Sequence, residues 1–79
     1  MANAVVGSRV RDKKTGREYI VDETWKFANQ FLLKPNLDTL WDFEVVVEQP
    51  FWDYPFDYEI YHEFAWQPIT ELQDENTLL

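Results

Sequence analysis

The chain has 79 residues, no cysteine, and seven basic against fifteen acidic residues, for a net charge of −8. That length allows one domain, and the missing cysteines exclude a disulfide-stapled scaffold, thiolate metal sites and thiol nucleophiles, favouring a reducing, cytoplasmic setting. Four Trp, four Tyr and six Phe argue against disorder, because each buried ring removes roughly 150–250 Å² from water.

In chain order, Met1–Gly7 has no basic n-region and no long apolar run, so no signal peptide is expected, and no stretch nears the ~20 apolar residues of a membrane span. Ser8–Asp12 and Arg17–Glu23 flank Lys13-Lys14-Thr15-Gly16 and predict a β-hairpin, with Gly16 where a positive φ is needed. Lys26–Lys34 is a third expected strand, with Phe27, Phe31 and Leu33 on one parity. Pro35-Asn36-Leu37-Asp38 is turn chemistry.

Thr39–Glu48 is a fourth expected strand: Trp41, Phe43, Val45 and Val47 alternate with Asp42, Glu44, Val46 and Glu48. Gln49–Pro55 reads as a loop or bent strand, since its prolines cannot donate to a central ladder. Asp57–Phe64 alternates again: Phe56, Tyr58, Ile60 and Phe64 share one parity with His62, expected to face the core, and Asp57, Glu59 and Glu63 share the other with Tyr61. Trp66-Gln67-Pro68-Ile69 closes the domain as a short strand or 3₁₀ turn. Residues 1–69 then form one domain, and 70–79 an acidic, frayed tail.

Five to six short strands with little helix predict a mostly β chain folded as a small antiparallel barrel. Gly7-Ser8-Arg9-Val10-Arg11-Asp12 with Thr15-Gly16-Arg17-Glu18-Tyr19-Ile20-Val21 resembles the opening hairpin of SH3-like small barrels of the KOW and Tudor type. Trp66-Gln67-Pro68-Ile69 resembles the ending of short phage and bacterial proteins of that shape. The resemblance implies the fold, over about fifteen residues at the front and four at the back. The aromatic–acidic stretch around Phe51-Trp52-Asp53-Tyr54 departs from those families.

The charge is sorted by position. All seven basic residues lie at or before Lys34, so residues 1–34 carry a net +3, while residues 35–79 carry −11 and no positive charge. If Thr39–Glu48 pairs with Asp57–Phe64, Asp42, Glu44 and Glu48 lie beside Asp57, Glu59 and Glu63, with Asp53 at the loop. Like charges across strands cost a few tenths to about 1 kcal/mol each. Such a row therefore suggests a surface used on a partner, against the plainer reading of solubility. Trp52 and Tyr54 are the expected anchors, since ten aromatics between Trp41 and Trp66 exceed what a small barrel buries.

The opposite pole is Arg9, Arg11, Lys13, Lys14 and Arg17. It could touch a phosphate backbone, guard a hairpin edge, or lie beside the acidic strands and offset them. Catalysis is not expected: one His (His62), one Ser (Ser8) and no Cys leave no triad. Carboxylates alternating on a wet face lack the pocket that would separate their pKa values. Neither a metal site nor a cofactor is expected.

The expected function is therefore that of a small acidic protein-binding module. It would occupy the basic groove of a nucleic-acid-handling protein, in the host cytoplasm if the chain is phage-encoded. In size, charge and compactness it resembles phage-encoded DNA mimics and inhibitors. Two alternatives stand beside it: a self-assembling or adaptor module in which the basic hairpin docks on another copy's acidic sheet, and a nucleic-acid binder using the basic hairpin.

Overall fold

The computed structural model describes residues 2–39 and 49–73. Its strands are β1 (Ala2–Ala4), β2 (Arg9–Asp12), β3 (Glu18–Trp25), β4 (Gln30–Pro35), β5 (Phe51–Asp53), β6 (Tyr58–His62) and β7 (Ala65–Leu72). Single 3₁₀ turns cover Lys26–Ala28, Leu37–Thr39 and Pro55–Asp57. The chain is mostly β, as expected, in one seven-stranded sheet ordered β1-β7-β6-β2-β3-β4-β5 that does not close.

The opening hairpin forms as its residues require. Val10 pairs with Tyr19 and Arg11 with Glu18, and Gly16 takes φ +74 in the turn. The Asp12 carboxylate accepts from the backbone N–H groups of Lys14 and Thr15 at 2.7 and 3.2 Å, so the turn's donors are met locally. β3 continues past a bulge between Val21 and Glu23 and pairs with β4, whose partner on its other side is β5. β6 then returns to pair antiparallel with β2, with Val10 opposite Ile60 and Arg11 opposite Glu59.

Several expectations are corrected. β6 has β2 on one side and β7 on the other. Thr39 ends a 3₁₀ turn, and the rest of that expected strand, with Asp42, Glu44 and Glu48, lies outside the described residues. The third expected strand begins only at Gln30; Lys26–Ala28 is a 3₁₀ turn that puts Phe27 in solvent.

The segment expected to end at Phe64 stops at His62, because Glu63 and Phe64 are a hairpin turn. β7 reaches Leu72, three residues into the expected tail, and Leu72 is buried. The sheet is also not wholly antiparallel. β1 runs parallel to β7, and its Ala2 and Ala4 lie in the core.

The core is Val10, Tyr19, Val21, Phe31, Leu33, Tyr58, Ile60 and Leu72 with the two alanines. Three edge-to-face ring pairs organise it: Tyr19 with Phe51, Tyr19 with Tyr58, and Phe31 with Tyr58, at 5.3, 6.2 and 5.4 Å between centroids. Tyr58 on β6 thus touches β3 and β4, and its hydroxyl donates to Asp53 Oδ2 on β5 at 2.7 Å. Strands that are not neighbours in the sheet meet through its inner face, so the sheet curls over its own core. Burial first, then the Asp53 carboxylate, holds the Tyr58 phenol protonated well above its ordinary range.

Candidate functional site

The outer face of the sheet carries two aromatic groups. The first forms across β7, β6 and β2, which lie side by side in that order. Tyr61 is opposite Trp66 in the β6–β7 ladder, and the rings meet at 5.3 Å and 64°. The Arg9 guanidinium lies 4.8 Å from the Tyr61 centroid, and Arg11 lies 4.5 Å from that of Trp66. Arg9 is bonded to Glu18, and Arg11 donates to Glu59 at 3.0 Å. The bond to Glu18 raises the Arg9 pKa further, against the lowering effect of burial.

This ladder is a structural lock. Alternation along β2 turns Val10 inward and Arg9 and Arg11 outward. The neighbouring acids on β3 and β6 then neutralise them, and the rings cover their stems. Of the three roles open to the basic cluster, the internal one is realised for these two residues. Lys13 also turns inward on the chain, donating from Nζ to the Phe56 carbonyl at 2.8 Å. Lys14 and Arg17 are exposed at the tip.

The expected acidic row is not assembled among the described residues. Glu59 is engaged by Arg11. Asp53 accepts from the Tyr58 hydroxyl and the Tyr54 backbone N–H, at 2.7 and 2.8 Å. Asp57 and Glu63 are exposed but bracket β6 at its two ends, with the whole strand between them. Trp52 and Tyr54, by contrast, are both close to half exposed. Tyr54 stacks on Phe56 at 5.7 Å and 23°.

The second aromatic group was not anticipated. Trp25 ends β3 and meets Trp52 on β5 with centroids 6.2 Å apart and planes at 69°. The two rings are 52% and 44% exposed, so this pair is a surface feature and not an edge of the core. The registers Glu23–Leu32 and Leu32–Trp52 put Glu23, Leu32 and Trp52 in one row across three strands. Trp25 is two residues past Glu23, on the same face. Two near-perpendicular indoles beside a carboxylate offer π faces and negative charge to a cation. No spacing signal ties Trp25 to Trp52: their contact depends on β4 lying between their strands.

Among the described residues no three metal-ligating side chains converge, and no helix is long and apolar enough to cross a membrane. Comparison of the chain with protein-family models, curated proteins and solved structures finds no match.

Proposed function

We propose that this chain is a small SH3-like half-open barrel that binds a basic, partly apolar protein surface through the Trp25–Trp52 pair. The carrying observation is that pair itself: two half-exposed indoles at 69°, in a row with Glu23, on a chain of net charge −8. The SH3-like reading is supported by the meander β2–β5, followed by a 3₁₀ turn and a strand, β6, paired back on β2. Tyr54 and Phe56 extend the apolar contact, and Asp57 and Glu63 add negative potential at two further points. A cationic side chain over an indole contributes about 0.5–2 kcal/mol, and Trp is among the residues that dominate interfaces.

The favoured partner class is a nucleic-acid-handling protein, whose phosphate-binding groove is basic. A strict DNA-mimic mechanism needs a continuous carboxylate strip, and Glu59 and Asp53 are engaged internally. The aromatic pair is therefore given the anchoring role, and net charge the steering role. The test is retention of host-lysate proteins on immobilised wild-type, Trp25→Ala and Trp52→Ala chains. A protein held at low salt by wild type, released by high salt and absent from both variants is expected. Equal retention on all three columns refutes the reading.

A further inference from the structure

We infer that the β6–β7 turn is a contact tip, in which Phe64 enters an apolar pocket of a partner protein whose rim carries a positive charge facing Glu63. His62 pairs with Ala65, so Glu63 and Phe64 alone make the turn, and both are left-handed, with φ 51 and φ 66. Two-residue turns of this kind take Asn-Gly or Asp-Gly, because a side chain at positive φ crowds the following carbonyl. A bulky residue such as Phe is an outlier there.

Among the described residues these side chains hold no part of the core together. Phe64 is 93% exposed, and Glu63 meets the neighbouring His62 at 3.4 Å. The stem beneath them is stiff. Gln67 Nε2 donates to the His62 carbonyl at 2.9 Å, and the Tyr61–Trp66 pair is clamped by Arg9 and Arg11. A disfavoured pair of residues is thus presented on a rigid hairpin, the arrangement that lowers the ordering cost of binding.

Phe27 makes the contrast. It is also almost fully exposed, but the left-handed position of its turn is filled by Asn29, which tolerates it. No local rule is broken there. Charge selects the occupant for Phe64: copies of a chain at −8 repel one another, and an anionic bilayer repels Glu63. The partner's class rests on the protein-binding reading above; the strain in the turn does not.

The test has two parts. Glu63→Asn with Phe64→Gly, and Phe64→Asn alone, should raise the melting temperature of the chain, the double variant by about 4–8 °C. An unchanged or lower value for both overturns the inference. In the second part, p-benzoylphenylalanine replaces Phe64 in cells that make the protein, and the chain is photo-cross-linked. One protein adduct is expected, competed by excess wild-type chain and at least about tenfold less well by Phe64→Asn. Adducts only between copies of the chain, only with lipid, or none, overturn it. If Phe64→Asn competes fully while Trp52→Ala does not, the tip is wrong and the binding-module reading stands. If both compete as wild type does, both fall.

Discussion

Replacing Tyr58 by Phe tests the internal logic of the sheet, because this one side chain ties β6 to β3, β4 and β5. The ring contacts survive the change; only the hydroxyl bonded to Asp53 is removed. A hydrogen bond to a charged group contributes about 1.5–3 kcal/mol. Asp53 is not fully buried and water can replace part of the loss, so the lower end applies, about 1.5 kcal/mol at about pH 8. The folded-state pKa of Tyr58 is raised, so folding favours the protonated phenol. Its contribution is therefore complete below the unfolded value of about 10 and declines above it, by about 1.4 kcal/mol per pH unit. Tyr58→Phe has no such group to lose. The stability gap between the two proteins, measured by urea unfolding, should shrink by about 1 kcal/mol between about pH 10 and pH 11. The tyrosinate absorbance that the wild type develops up to about pH 11 should be unchanged by Tyr58→Phe. A gap that stays constant with pH, or tyrosinate absorbance at about pH 11 lost on Tyr58→Phe, refutes the reasoning.

Two further substitutions probe corrected expectations. Glu59→Lys breaks the ion pair with Arg11 and sets two cations side by side; the site is partly exposed, so the screened cost is about 0.5–1 kcal/mol and shrinks with added salt. Denaturant midpoints at low and high salt measure this, and identical midpoints for both proteins count against the lock. Leu72→Ala should cost about 2–5 kcal/mol, because the side chain is buried. A loss below about 0.5 kcal/mol would return residues 70–72 to a tail.

Much of the fold was legible where short-range chemistry decides it. Asp12 and Gly16 announce the first hairpin, Pro35 and Asn36 the next turn, and alternation names Tyr58 and Ile60 as core; it also puts Phe56 and Phe64 on that face, and both are exposed because they sit in turns at the two ends of β6. The β6–β7 hairpin was not legible, because Glu63-Phe64 is not a turn dipeptide and alternation runs through it unbroken. β1 was missed because two alanines carry almost no hydrophobic signal, and their burial depends on parallel pairing with β7 at the far end of the chain.

The candidate site divides in the same way. Trp52 and Tyr54 were recognisable as surplus aromatics beside prolines. Trp25 was not, because only the β3–β4–β5 registers bring it to Trp52. Alternation and turn residues by themselves determined that this chain is mostly β, residue order that its charge is polarised, and composition that it is rich in rings. Tertiary structure decided which charges are open to a partner. Strand order puts β6 against β2, so Glu59 meets Arg11 across one ladder spacing instead of joining a carboxylate row. Alternation sets the face a side chain takes, but the neighbour across that face depends on pairings between residues 48 positions apart, and no local pattern encodes them.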